Sequence, residues 1–199
     1  MPQTPFPPAA LGEALISRYS EPHRHYHTLD HIRAMLKHFV AFGSLCRQPE
    51  LIEAAIWFHD AIYDPTRSDN EARSANLATE CLSGIGWSGE ACRRVASLIQ
   101  LTERHAAPPG DGDAALLMDL DLAILAAEPD AYDDYVDRIR REYSHVSNDV
   151  FRAGRQAFIN HLLARTRIYA TPALFEAWEG SARRNLGRER GVLNGRGLP

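Results

Sequence analysis

Apolar residues recur at intervals of three and four along most of the chain, and this helical spacing constrains the fold more than any other feature. Ile32, Met35 and Phe39 form one such stripe. Thr28 precedes the stripe as a candidate N-cap, and Gly43 follows it as a stop signal. No run of alternating apolar and polar residues lies between hairpin turn signals, so strands are not predicted. We expect an all-α fold of about eight to nine helices in a single domain.

Proline, glycine and capping residues indicate where the helices begin and end. After a first helix from Ala9, the predicted segments are 28–42, Pro49 to near Tyr63, one capped by Asp69 or Asn70 through Leu82, one capped by Ser88, 116–127, one from Pro129, 150–168 and 172–188. Residues 1–8 are expected to be an extended lead-in, 9–190 one helical domain, and 191–199 a flexible tail. The loop at 106–112 is not taken as a domain boundary, because the resulting halves would be small.

The composition is that of an ordinary globular chain: of 199 residues, 45% are hydrophobic and 24% are charged. The formal net charge of −4 argues against a bulk positive field for nucleic acid. Three cysteines without a CxxC pair favour a reducing compartment over a disulfide framework. The sequence shows no signal-peptide pattern and no apolar run of the ~18 residues that a membrane span needs. We therefore expect a soluble, cytoplasmic protein with no membrane partner.

Histidines are crowded in one early stretch, where five of the nine lie between His23 and His38. Within that stretch, His27 and His31 are four residues apart and would share one face if a single helix included both. Such a pair on its own is more often a surface feature than a metal site. Whether this pair belongs to a metal site depends on whether the rest of the chain contains further candidate ligands.

A second element is the pair His59-Asp60, which follows the apolar run Ile56-Trp57-Phe58. Burying a charged carboxylate is costly unless a partner balances it. A divalent cation would do so, because imidazole and carboxylate are ligands for zinc, iron, manganese and, with more oxygen ligands, magnesium. Adjacent helical residues diverge by about 100°, so both side chains reach one ion only if it lies between them.

A third element is the acidic pair Asp119 and Asp121 within the apolar segment LLMDLDLAIL. One of the two could cap a helix while the other faces solvent, and that explanation suits Asp119 well. It is harder to hold for both, given the apolar residues around them. Either aspartate is therefore a candidate for a further metal ligand.

The ordered set of a histidine, a His-Asp pair and a later aspartate resembles the signature of the HD superfamily of metal-dependent phosphohydrolases. It is similar in particular to a small bacterial branch of predicted HD-type phosphohydrolases. The matching stretches are Arg24-His25-Tyr26-His27 with His31, Phe58-His59-Asp60 with Tyr63-Asp64, Asn70-Glu71 with Ser74-Ala75, Asp121-Leu122, and the C-terminal segments 139–143, 176 and 182–186. The resemblance implies an HD-type helical bundle over 9–190.

The stretch Tyr26-His27 with His31 also resembles cyclic nucleotide phosphodiesterases, in which the first histidine is the general acid and the second binds metal. The two resemblances together imply one divalent ion, with metal-bound hydroxide attacking phosphorus and His27 protonating the leaving oxygen. The implied ligands are His31, His59, Asp60 and Asp121, with Asp119 in reserve. Those enzymes use a histidine four residues after the HD aspartate for a second metal, whereas this chain has Asp64 there.

Three residues have candidate roles with a plainer alternative beside each. His27 is the proton donor, or else a further metal ligand or a core histidine bonded to the backbone. Arg24 is the cation for the phosphoryl charge, or else a surface arginine lying over a helix. Glu71 orients the attacking water, or else is a first-turn glutamate favoured by the helix dipole. His105 is a further candidate to line the pocket.

The predicted activity is therefore metal-dependent hydrolysis of a nucleotide or a small phosphorylated metabolite. His/Asp ligands do not distinguish Mn, Ni, Co, Fe, Zn and Mg. One alternative is a non-catalytic module that keeps its metal for structure and binds a nucleotide or a partner. Another is an HD-type oxygenase with two irons, which would need more His/Asp ligands. The sequence makes no prediction of the oligomeric state.

Overall fold

A computed structural model describes residues 6–195, and every regular element within them is helical. The α-helices are α1 (Ala9–Arg18), α2 (Leu29–Phe42), α3 (Pro49–Phe58), α4 (Asn70–Gly84), α5 (Gly89–Thr102), α6 (Gly112–Asp121), α7 (Pro129–Glu142), α8 (Asn148–Ala164) and α9 (Pro172–Leu193). Short 3-10 turns follow α2 at Gly43–Leu45 and α6 at Leu122–Ala126. The all-α prediction is confirmed, since residues 6–195 form nine α-helices and no strand. In that range, no helix combines the length and the apolar character needed to cross a membrane.

The starts of α2, α3, α5 and α7 agree with the sequence prediction because they depend on local capping chemistry, whereas α6 begins at Gly112 rather than at Leu116. The Thr28 hydroxyl accepts a hydrogen bond from a backbone N–H in the first turn of α2, and Ser88 does the same for α5. Pro49 and Pro129 occupy the first positions of α3 and α7, where the missing N–H costs nothing.

Several helix ends differ from the prediction. The α3 helix ends at Phe58 rather than near Tyr63, and the predicted segment 116–127 turns into a 3-10 helix after Asp121. The helix predicted over 150–168 is α8, which runs over Asn148–Ala164 instead. The α9 helix extends into the predicted tail and ends at Leu193. Residues 1–5 of the lead-in and 196–199 of the tail lie outside the described residues.

Residues up to Leu120 form one compact unit and residues from Asp121 onward form another. In the first unit, α3 packs against α2, α4 and α5. Its side chains Ile52, Ile56 and Phe58 are fully buried, and each such burial contributes about 1.5–3 kcal/mol. The end of α3, where the His-Asp pair follows, is therefore held firmly. One domain over 9–190 stays a prediction.

In the second unit, α9 packs against α8 and against the 3-10 turn Leu122–Ala126. The Tyr169 hydroxyl donates to the Leu122 carbonyl at 3.0 Å, and the Asn185 amide donates to the carbonyls of Leu125 and Ala127 at 2.9 and 2.8 Å. These bonds satisfy carbonyls that a helix end leaves without partners. They fix the segment that directly follows Asp121.

Candidate metal centre

Two histidines meet in the core of the first unit. His31 lies in the first turn of α2 and is 6% exposed, while His59 lies directly after α3 and is 1% exposed. Their Nε2 atoms are 3.2 Å apart. The buried end of α3 and the cap of α2 thus bring together two imidazoles that are separated by 28 positions in the sequence.

The carboxylate of Asp60 joins the two histidines. Its Oδ2 atom lies 3.0 Å from the His59 Nε2 and 3.9 Å from the His31 Nε2, and the side chain is 13% exposed. The His59 Nδ1 lies 2.9 Å from the Ile56 carbonyl, so Nδ1 carries a proton and donates it there. In the neutral imidazole the Nε2 lone pair then points at Asp60 and His31. Such a convergence of lone pairs needs a cation among them, either a proton or a metal ion.

The distances within this group fit a metal ion. Zinc-like ions bind imidazole and carboxylate at about 2.0–2.2 Å, so neighbouring ligand atoms in a tetrahedral or octahedral shell are about 3.0–3.4 Å apart. The 3.2 Å between the histidines and the 3.0 Å between His59 and Asp60 match this spacing. The hydrogen bond from His59 to Ile56 is the kind that orients a metal-binding imidazole. The donor set is therefore suited to a divalent cation.

Asp121 and Asp119 differ in their position relative to the two histidines. Asp121 is the last residue of α6, and one of its carboxylate oxygens belongs to a group with His31 and His59 whose atoms all lie within 4.8 Å of one another. Asp119 is buried but is not a member of that group. Two residues along a helix turn by about 200°, so both side chains cannot face the same point. Asp60 is not a member of that group either, so Asp119 as a reserve ligand stays a prediction.

His27 does not share a helix with His31, because α2 begins at Leu29. The condition for both histidines to lie on one helical face is therefore not met. The turn before α2 nevertheless keeps the His27 ring 6.1 Å from the His31 ring, and Tyr63 packs against it at 4.3 Å between ring centroids. His27 is half-buried at this position.

Arg24 is not a surface arginine: its side chain has no exposed area. Its Nε donates to the Glu21 carboxylate at 2.9 Å, and Nη1 donates to the carbonyls of His27 and Asp60 at 3.0 and 2.8 Å. Nη2 donates to the Ala61 carbonyl at 3.3 Å. The guanidinium is directed at the backbone around the site, and a contact with a phosphoryl group stays a prediction.

Glu71 lies in the first turn of α4 and is half-buried. Burial raises the pKa of its carboxyl above the ordinary value, and Asp60 and Glu103 raise it further, against a backbone hydrogen bond and His105 that lower it. Asp60 is thus part of the electrostatic neighbourhood of Glu71. A glutamate in the first turn of α4 can also orient a water molecule, so the two candidate roles of Glu71 are compatible. His105 belongs to the same neighbourhood, with a backbone φ of 44° just after α5.

Two residues missed by sequence reasoning clamp the turn that follows Asp60. The Asn70 side chain accepts from the Asp64 N–H at 3.1 Å and donates to the Asp64 carbonyl at 2.9 Å. The Ser74 hydroxyl accepts from the Ile62 N–H at 3.0 Å and donates to the Ile62 carbonyl at 3.2 Å. The available signal was a pair of small polar residues four apart in an alanine-rich helix, which places both on one face.

Two tyrosines were also missed. The Tyr26 ring lies 5.1 Å from the His31 ring, and Tyr63 packs on His27. His23 donates from Nε2 to the Tyr63 carbonyl at 2.8 Å, which gives that histidine a structural part. Asp64 accepts hydrogen bonds from the Thr66 N–H and hydroxyl at 2.9 and 2.6 Å, and its oxygen is thus directed into its own turn.

The chain has no counterpart in the comparisons with known proteins: no family model, no curated protein and no solved structure matches it.

Proposed function

We propose that this chain is a metal-dependent phosphohydrolase acting on a nucleotide or a small phosphorylated metabolite. The observation that carries the proposal is the convergence of the His31 and His59 Nε2 atoms with the Asp60 carboxylate, at the spacing of ligands around one ion. Asp121 is the proposed fourth ligand. The tautomer of His59 supports the assignment, because its Nδ1–H is already used by the Ile56 carbonyl.

A divalent ion bound there would polarise a phosphoryl oxygen and lower the pKa of a water molecule. The chain's own residues supply the rest of the chemistry. His27 holds a proton for the leaving oxygen, since it is half-buried beside the ligands and its ring is oriented by Tyr63. Glu71 is close enough to Asp60 to sense its charge and would orient the attacking water.

The test begins with the wild-type protein, purified without a tag. Metal content is measured by elemental analysis, and hydrolysis is assayed on a panel of nucleotides and simple phosphoesters with Mn²⁺, Ni²⁺, Co²⁺ or Mg²⁺. Asp60→Asn should lose both the ion and the turnover. Asp30→Asn is the matched control, because Asp30 is exposed and pairs with Arg33 on the same helix. Equal metal retention by the two variants would disprove the site.

Two outcomes would favour the alternatives instead. Tight metal retention without turnover of any phosphoester would point to a non-catalytic nucleotide-binding or interaction module. Two irons per chain would point to an HD-type oxygenase. His27→Ala separates the roles within the site: it should keep the ion and lose turnover, whereas loss of the ion would make His27 a ligand.

A further inference from the structure

Arg24 occupies an unusual position beside the candidate metal centre. Its guanidinium is enclosed between the Tyr19 and Tyr63 rings, with its central carbon 5.2 and 5.4 Å from their centroids. Burying a cation is costly unless its donors are used. Here all three guanidinium nitrogens donate to oxygen atoms of the first unit.

The acceptors of Arg24 belong to the two segments that carry the site. Nη1 alone bridges the His27 carbonyl and the Asp60 carbonyl, which are 33 positions apart in the sequence. Nη2 adds the Ala61 carbonyl, the next residue after the Asp60 ligand. The turn with the proposed proton donor and the turn with the proposed ligand are thus joined through one side chain.

A lysine could not make the same set of contacts. The guanidinium is a planar fork that donates in several fixed directions, whereas an ammonium is a single point charge. The bonds to His27, Asp60 and Glu21 lie on different nitrogens or different sides of one nitrogen. Arg24→Lys therefore keeps the charge and removes the bridging geometry.

We propose that Arg24 is a positioning residue that holds the His27 and Asp60 turns together and thereby sets the affinity of the site for a divalent ion, without contacting the substrate. The inference rests on the metal site of the proposed function. In this proposal Arg24 acts on the metal site before any substrate binds, rather than by contacting the phosphoryl group. Residues that orient metal ligands in this way typically change metal affinity or activity 10–100-fold.

The decisive measurement is the Mn²⁺ dissociation constant, obtained by isothermal titration calorimetry in the absence of substrate. Arg24→Lys should weaken binding by about 10–100-fold, the range typical of residues that support metal ligands. The control Arg33→Lys, an exposed arginine on α2 that pairs with Asp30, should bind Mn²⁺ like the wild type. An unchanged dissociation constant in a folded Arg24→Lys variant, with KM alone increased, would overturn the inference in favour of a substrate contact.

A second measurement on the wild type does not depend on the variant folding. The Arg24 Nε–H resonance in a nitrogen-15 NMR spectrum should shift when Zn²⁺ is added and should stay in place when inorganic phosphate follows. No response to Zn²⁺ in a protein that binds Zn²⁺ would overturn the inference and leave the metal site standing. A wild-type protein that binds no divalent ion would overturn the proposed function as well.

Discussion

Two buried arginines, one in each unit, are stabilised in different ways. Arg155 in the second unit donates from Nε and Nη2 to the Glu189 carboxylate at 2.7 and 3.0 Å, and both side chains are 7% exposed. Arg24 in the first unit has one charged partner, Glu21, whose side chain is 37% exposed, and its other acceptors are backbone carbonyls.

In the second unit, Arg155 and Glu189 form a cluster with two tyrosine hydroxyls. The Glu189 carboxylate also accepts from the Tyr132 hydroxyl, and Arg155 donates from Nη1 to the Tyr135 hydroxyl at 2.9 Å. Burial opposes the charge of Arg155, yet Tyr135 and Glu189 outweigh it and raise the pKa of the guanidinium. The carboxylate here has its cation within the chain.

The first-unit cluster of His31, His59 and Asp60 has the opposite character. Two imidazoles and a carboxylate converge with Nε2 and Oδ2 atoms 3.0–3.9 Å apart, and the buried arginine nearby faces the backbone instead. These atoms are spaced as the ligands of one divalent ion would be. The comparison separates an ion pair that stabilises a fold from a group of ligands suited to a bound ion.

The largest loss of stability should come from breaking the ion pair between Arg155 and Glu189. Glu189→Gln keeps the side-chain volume but leaves Arg155 buried without its carboxylate, so the free energy of unfolding should fall by about 3–5 kcal/mol. Urea denaturation measures the change. Replacing Arg155 and Glu189 together by methionine should recover much of the loss. A loss below about 1 kcal/mol for Glu189→Gln would mean that the pair is not a stabilising core element.

The next effect concerns the divalent ion that is proposed to bind the first cluster. Mn²⁺ at 100 times its dissociation constant should stabilise the wild type by about 2.7 kcal/mol, and EDTA should abolish this gain. His59→Ala should show no Mn²⁺-dependent shift in Tm by differential scanning calorimetry. His38→Ala, a histidine on α2 outside the cluster, should keep the shift. An equal shift in both variants would contradict the assigned ligands.

A smaller effect is expected where the turn after Asp60 is clamped. Asn70→Ala removes two hydrogen bonds to the backbone of Asp64 and leaves buried polar groups without partners, which costs about 1–3 kcal/mol. Ser74→Ala removes the equivalent bonds to Ile62 and should cost a similar amount. Chemical denaturation of both variants, with Thr79→Ala on the same helix as a control, would measure this. A cost no greater than that of the control would show that the clamp does not stabilise the fold.

The smallest effect should come from the charged partner of Arg24. Glu21→Gln should lower the free energy of unfolding by less than about 1 kcal/mol, because this carboxylate is partly exposed and solvent screens it. The same denaturation experiment compares it directly with Glu189→Gln. Equal losses in the two variants would erase the distinction between the two arginines.

The starts of helices with a serine, threonine or proline signal could be predicted from the sequence, since the groups that decide them lie within a few residues of one another. Thr28 and Ser88 cap helices as expected, and the hydroxyl and its N–H partner are close neighbours in each case. The end of α3 could not be predicted in this way. It is followed by a turn whose partners, Asn70 and Ser74, come from the next helix.

The candidate site divides along the same line. His59, Asp60 and Asp121 could be chosen as candidate ligands from the sequence, because a buried carboxylate in or after an apolar run needs a balancing charge. His31 was implied by the family resemblance. The sequence could not establish that the His27 ring lies beside the His31 ring, nor that the Arg24 guanidinium donates to backbone carbonyls.

What the sequence determined by itself is an all-helical chain with histidine and aspartate side chains in a particular order. The tertiary structure decided which of these side chains converge and directed Arg24 to the Asp60 carbonyl across 36 positions of sequence. The physical reason is range. Helix periodicity and capping act within about one turn, whereas convergence on one ion depends on how separate helices pack.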